Sequence, residues 1–314
     1  LALLTVHTGV VNLHRWRIDA NFHAIRSATE VYLAPNPPPI DPEDRARLEA
    51  GVRTYERMTS ITPVYNERAH GRYAVMLLAL GRFDEAERAF ASLEERTKAD
   101  DPTAAIRAQL VLRDRRIEEA HALTLERTTE HPDFWETRDV RNRILAGTGR
   151  AARALAEAEA ATAQIREHWR TREARSRTWE QVARLRAQAR DAQGAMQAID
   201  TAVEIDPSIV PVGELRAAFR LQIERDPGGA IEEMRRVTRY APRDAALCFR
   251  FLQLAAALRD RDLAREQGER YLELIEAQNR RDRTLTEEQR QRNNDDASRA
   301  VAGIYRSVGI TDGG

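Results

Sequence analysis

The side chains able to do chemistry are few and stand apart. Seven histidines, His7, His14, His23, His70, His121, His131 and His168, never pair at a metal-ligand spacing on one helix beside a cysteine or carboxylate partner. Cys248 is the single cysteine. It cannot close an internal disulfide, and its apolar helical surroundings make it a buried, inert thiol rather than a nucleophile, which leaves the redox compartment open. Glu118-Glu119 and Glu232-Glu233 have the composition of acid/base pairs, yet sequence neighbours point to different sides of a helix, so they read as solvated faces. Asp226-Pro227-Gly228-Gly229 has the composition of a phosphate nest, but it falls at a turn between two helical stretches, which explains its Pro and Gly without a ligand. A phosphate loop with Lys and Ser/Thr, a dinucleotide fingerprint, a His-Glu-x-x-His pair and a Gly-x-Ser-x-Gly elbow are all missing. No catalytic constellation, metal or cofactor is expected within this chain.

Charge excludes a further class. The 314 residues carry 50 basic and 50 acidic side chains, so no global field draws in nucleic acid or anionic lipid. Lys98 is the single lysine, and the 49 arginines read as the habit of a GC-rich bacterial coding sequence rather than as phosphate recognition. Abundant Ala and Leu, with aromatics at only 6%, favour helices over strands.

The elements follow from self-similarity. Ala79-Leu80-Gly81-Arg82-Phe83-Asp84-Glu85-Ala86 recurs in altered form, and its small marker residue returns as Ala86, Ala120, Ala154, Ala195, Ala230 and Ala264, separated by 34, 34, 41, 35 and 34 residues. Pro132, Pro207 and Pro242 each stand twelve residues past a marker, where a residue unable to continue a helix suits a turn between units. Pro63, twelve residues after Gly51, implies a degenerate earlier unit. Tyr73, Leu77 and Leu80 before Gly81, and Phe83, Ala86, Phe90 and Leu93 after it, have helical spacing, so each period holds two helices. The small markers let antiparallel helices approach closely where they cross.

This pattern resembles the tetratricopeptide repeat, a 34-residue helix-turn-helix unit with small residues in both helices, an aromatic after the turn and a terminal proline. Trp179, Ala183, Ala195, Ala202 and Pro207 occupy the family's characteristic places, whereas Asn142 and Leu252 stand where Gly or Ala is usual and the fourth unit runs long. The resemblance covers residues 64–279, about six units, and implies an all-α, right-handed superhelical solenoid. It also implies a concave groove lined by first helices that takes a peptide or helix of a protein partner. At the matching positions stand Val75 and Leu78, then a charged centre of Asp139, Arg143, Arg177, Glu180 and Arg184, then Leu215, Phe219 and Phe249. Guanidinium groups there suit carboxylates, with apolar flanks for anchor side chains, unless these charges pair with one another instead.

The ends depart from the pattern. Residues 17–63 read as a degenerate first hairpin, a helix over 17–33 followed by the stiff loop Leu33 to Pro42. Residues 280–314 read as a polar linker and a capping helix. Asn279 to Asp296 is expected to be mobile or only partly helical, Thr286-Glu287-Glu288-Gln289 to be a capping box opening a short helix, and Val301, Ile304, Tyr305 and Val308 to form its apolar stripe. Residues 1–16 begin with Leu1 to Leu13, which lacks charge. Their apolar run is too short to span a bilayer but suits the end of a transmembrane helix, and His14-Arg15-Trp16-Arg17 resembles an interfacial anchor. A membrane-attached protein of the bacterial cell envelope, with either side facing the repeats, and a soluble cytoplasmic protein with a buried first helix are both open. The leading reading is an interaction scaffold. The alternative is the extramembrane tail of a polytopic surface-polysaccharide ligase or polymerase, which the apolar run entering the repeats resembles; a soluble regulator that self-associates through its terminal helices is a third.

Ala120→Leu and Ala230→Leu are each expected to lower stability by roughly 1–3 kcal/mol through overpacking, read as a lower urea midpoint with native-like circular dichroism before the transition.

Overall fold

The computed structural model describes residues 18, 22, 32–34, 37, 39–61, 66–96, 100–165, 171–282 and 285–310. The apolar segment 1–16 and most of the helix expected over 17–33 lie outside the described residues. Among the described residues there are fourteen α-helices and no strand, and no helix long and apolar enough to cross a membrane.

The chain forms two compact units, residues 1–165 and 166–314. The first holds α1 (Pro42–Ile61) and three hairpins: α2 (Glu67–Ala79) with α3 (Phe83–Arg96), α4 (Asp101–Arg113) with α5 (Ile117–Glu130), and α6 (Trp135–Gly147) with α7 (Ala151–Gln164). Each hairpin packs on the next, and α4 touches α6, so first helices lie side by side. The second unit holds α8 (Arg172–Gln188) with α9 (Ala192–Ile205), α10 (Val210–Phe219) with α11 (Pro227–Tyr240), α12 (Ala245–Ala257) with α13 (Arg261–Arg281), and a final α14 (Glu287–Ser307).

The hairpins share one turn residue conformation, and all but α10–α11 share one closing bond. A residue in the left-handed region ends each first helix: Gly81, Arg115, Gly149, Arg190, Arg225 and Arg259, at φ between 57° and 78°. The following N–H bonds back to a carbonyl one turn earlier, as in Arg82 N to Leu77 O at 2.9 Å and Asp260 N to Ala255 O at 3.0 Å, which closes the exposed helix end. Five residues further on stands the alanine marker, and all six alanines are 0% exposed. An aspartate or asparagine opens many helices, accepting from the backbone N–H of the third residue on: Asn66 for α2, Asp100 for α4, Asp191 for α9, Asp226 for α11, Asp244 for α12 and Asp260 for α13. Asp226-Pro227-Gly228-Gly229 is thus a capped helix start, with Asp226 accepting from Gly229 N at 2.9 Å.

Buried polar groups fasten neighbouring helices. The Tyr55 hydroxyl of α1 hydrogen-bonds His70 Nδ1 of α2, whose Nε2 reaches Ala89 O of α3 at 2.9 Å, and Tyr55 stacks on Tyr73 at 4.3 Å. Burial holds the His70 pKa below the usual histidine value, so its ring is neutral at pH 7. Buried Arg141 of α6 donates to Glu157 of α7 at 2.6 and 2.9 Å. Glu233, read from the sequence as part of a solvated face, is buried between Arg216 and Arg236, because carboxylate and guanidinium satisfy one another there. Cys248 is buried, its Sγ 3.4 Å from Gln267 O, and burial pushes its pKa up to about 11.

The carboxyl-terminal stretch is more ordered than its polarity implies. α13 runs to Arg281, the capping box of Thr286 and Gln289 forms, and α14 is 21 residues long rather than short. Buried Asn279 contributes to this: its Nδ2 donates to Asn294 Oδ1 at 2.6 Å and its Oδ1 accepts from Asn293 at 3.3 Å, so polar groups pair across α13 and α14. The stripe of Val301, Ile304, Tyr305 and Val308 packs into the core of the second unit, and a Cβ at Gly268 would meet the Tyr305 hydroxyl at 2.2 Å.

Four of the six left-handed turn positions carry arginine, in a conformation that costs an L-residue about 1–2 kcal/mol. Arg115→Gly and Arg259→Gly are expected to leave stability equal or raise it by up to about 1 kcal/mol, whereas Gly81→Ala lowers it by about 1 kcal/mol; thermal melts of the three variants read the contrast.

Candidate functional site

The first helices are laid side by side by the hairpin stride, and a hollow opens along them in each unit. In the first unit it measures about 520 Å³ and is lined by Ile106 and Gln109 of α4, by Trp135, Glu136, Asp139 and Arg143 of α6, and by Leu33 and Ala34. In the second it measures about 370 Å³, with Leu215 and Ala218 of α10, Leu221 of the π turn that follows it and Leu254 of α12 forming an apolar floor beside Arg184 of α8 and Glu214 and Arg250.

Electrostatics hold the walls in place. Asp101, at the start of α4, accepts from Glu136 N at 2.7 Å, from Thr137 N at 2.8 Å and from the Thr137 hydroxyl at 2.8 Å, so one repeat caps the first helix of the next. Burial pushes the Asp101 pKa up despite these bonds. Arg138 beside it is buried and pulled down to about 10 by desolvation, with Asp101 opposing, and it donates to Pro132 O at 2.8 Å. In the second unit Glu180 is 5% exposed and receives Arg177 at 2.9 Å and Arg184 at 2.6 Å. Arg143 pairs with Asp139 at 3.3 Å, and Arg250 pairs with Glu214 across α10 and α12. The charged centre expected of the groove is therefore largely neutralised by its own carboxylates.

The ten residues expected to line a groove divide accordingly. Asp139 and Arg143 come together in the hollow of the first unit, and Arg184 and Leu215 in that of the second. Arg177 stands partly buried behind them on Glu180. Val75 is partly buried on the core, and Leu78 is 1% exposed in a cluster that includes Ile18 and Tyr32, so neither lines a hollow. Phe219 is 6% exposed, and Phe249 tilts against Tyr271 at 4.9 Å, between α12 and α13.

Phe219 has a clear physical cause. Five residues before the left-handed residue stand the buried Met76, Leu110, Ile144 and Leu185 and the partly buried Leu254, while the same count in α10 lands on Arg220. α10 ends in a π turn, Arg220–Glu224, and its closing bond, Asp226 N to Arg220 O, spans six residues where the others span five. One extra residue therefore sits in that turn. Upstream of it every position slips by one, which sends Phe219 to the core and brings Glu214, Leu215 and Ala218 to the places of Ala105, Ile106 and Gln109. Arg250 and Leu254 stand nine and five residues before the left-handed Arg259, places the sequence reading did not assign to the groove; for Phe219 the 35-residue spacing before Ala230 was the available signal.

Among the described residues no three or more His, Cys, Asp or Glu side chains are arranged to hold a metal ion. No protein-family model matches the sequence, and no curated protein matches it. Solved structures similar to this chain include a tetratricopeptide repeat protein from Parabacteroides merdae, 13% identical over 82% of this chain and 94% of that one, with a TM-score of 0.44. Another is a thermophilic tetratricopeptide repeat protein from Thermus thermophilus, 19% identical over 62% of this chain and 99% of that one, TM-score 0.46. The carboxyl-terminal part of a repeat protein from Cytophaga hutchinsonii is 13% identical over 74% and 92%, TM-score 0.41. The description of this chain as paired, tetratricopeptide-like helices rests on its own hairpin geometry.

Glu180→Gln is expected to lower stability by roughly 2–3 kcal/mol, because half-buried Arg177 loses a charged partner; a urea midpoint unchanged from the parent protein would show that the clasp is an exposed, screened pair.

Proposed function

We propose that this chain is an interaction scaffold that holds a peptide or helical segment of a protein partner against its first helices, with the hollow of the second unit as the main contact. The observation that carries this reading is the apolar floor of Leu215, Ala218, Leu221 and Leu254 set between two guanidinium groups. Arg184 directs Nε and Nη2 at Glu180, and Arg250 directs Nε at Glu214, so each keeps outward donors for a second acceptor. A segment with apolar anchors flanked by carboxylates matches that layout, since buried anchors carry most of the energy in such contacts and charges at the rim set register. The hollow of the first unit, with Trp135, Asp139 and Arg143, extends the same chemistry to a second segment. The balance of 50 acidic against 50 basic residues supports a protein partner over nucleic acid.

Attachment to a bacterial cell envelope through residues 1–16 belongs to the same reading, and its support is the apolar run followed by His14-Arg15-Trp16-Arg17.

Affinity capture with mass spectrometry, followed by calorimetry on the recovered partner, tests the assignment. Leu215→Asp is expected to weaken binding at least tenfold, and Arg143→Glu with Arg184→Glu to weaken it further, while the helical circular dichroism signal persists. Affinity unchanged by Leu215→Asp would sink the groove.

A further inference from the structure

The surplus residue of α10 does more than shift register. Phe219 keeps the inward place, and Arg220 is the first residue of the π turn after it. Its guanidinium lies over the first turn of α11: a Cβ on Gly229 would fall 2.5 Å from Arg220 Nη1. Here the arginine is poorly served. Its Nε is buried without an acceptor, and its carboxylate contact, Nη1 to Asp226 Oδ2, is long at 3.4 Å, while the other oxygen of Asp226 caps α11. A cation at the positive end of a helix is repelled, and a buried donor left without an acceptor costs stability. An anion at this point would relieve both.

From that point a hollow of about 510 Å³ runs along α11, lined by Arg220, Gly229, Glu232, Glu233, Arg235, Arg236 and Arg239. Glu233 is taken up by Arg216 and Arg236. Arg235 and Arg239 are exposed and, among the described residues, have no ion pair. Of the four guanidinium groups, Arg236 is engaged by Glu233 and Arg220 by Asp226 at 3.4 Å, which leaves Arg235 and Arg239 beside Glu232. The hollow has the size of a small-ligand site, and its modest excess of positive charge suits a compact anion rather than a long polyanion.

We propose that this hollow binds a small soluble ligand bearing two or more phosphate groups, one phosphate accepted by Arg220 at the start of α11 and another by Arg235 and Arg239. Guanidinium groups recognise phosphate through paired N–H donors. The site lies on α11 and the turn before it, so it stands or falls separately from the apolar groove.

The test is calorimetry and thermal melting of the full chain with sodium pyrophosphate, against inorganic phosphate, sulfate and a phosphoserine peptide. Pyrophosphate is expected to bind and raise Tm, at least tenfold tighter than sulfate. Arg220→Gln, and deletion of Arg220 to restore the 34-residue stride, are expected to weaken binding at least tenfold while the ligand-free Tm holds or rises. Arg235→Gln with Arg239→Gln is expected to remove the preference for pyrophosphate over phosphate. Equal affinity for pyrophosphate and sulfate would mean unspecific charge and overturn the proposal, as would binding of the phosphopeptide alone. A ligand-free Tm lowered by Arg220→Gln, with no response to pyrophosphate, would make Arg220 a structural partner of Asp226 and overturn it too.

Discussion

Everything in this molecule depends on how closely two helices of a hairpin can approach. The distance is set at two points five residues apart: a left-handed residue that turns the chain, and an alanine that is fully buried where the second helix crosses the first. A larger side chain at the crossing would push the helices apart, and a chain that did not turn left-handed would leave the last carbonyls of the first helix without donors. Because the hairpins other than α10–α11 share one closure, they present like surfaces to their neighbours, and first helices come to lie against first helices, as α4 does against α6. The hollows that carry the proposed function are consequences of that stride.

Between hairpins the arginines have a role that composition does not disclose. Glu94 of α3 is buried and paired with Arg107 of α4 and Arg127 of α5, so one carboxylate ties three helices. Arg216 of α10 reaches Asp200 of α9 at 2.8 Å and Glu233 of α11 at 3.4 Å. Pairs of this kind are weak contributors to net stability, since desolvation offsets most of the attraction, but they are specific: a slipped register strands a charge in the interior. Arginine suits the task better than lysine because its planar fork meets both carboxylate oxygens, as Arg141 does on Glu157. An equal number of acids and bases thus reflects internal pairing as much as a neutral exterior.

The two departures from the stride have different outcomes. Part of the 41-residue spacing before Ala195 is taken up by a longer α8, 17 residues against 13 in α4 and α6. The 35-residue spacing before Ala230 has no such slack, because α10 and α11 are joined by a short turn. The additional residue is absorbed inside the helix as a π turn, which puts α10 one residue out of register with the other first helices and leaves Arg220 with an unbonded buried nitrogen.

By itself the sequence determined the helical class, the pairing of helices and the positions of the crossings, because each depends on local features: apolar spacing, a small residue at a fixed stride, and a turn former or breaker nearby. The burial of Cys248 was legible for the same reason. Which first-helix side chains stay open was decided only in three dimensions. Leu78 is covered by residues distant in sequence, Glu180 is drawn inward by Arg177 and Arg184, and Phe219 is moved by a single inserted residue whose effect depends on where the helix absorbs it. The same holds for Asn279, which is buried and bonded to Asn294 within a polar stretch that is helical. Periodicity records which face of a helix is apolar, whereas exposure depends on what the rest of the chain lays across that face, and no local pattern encodes it.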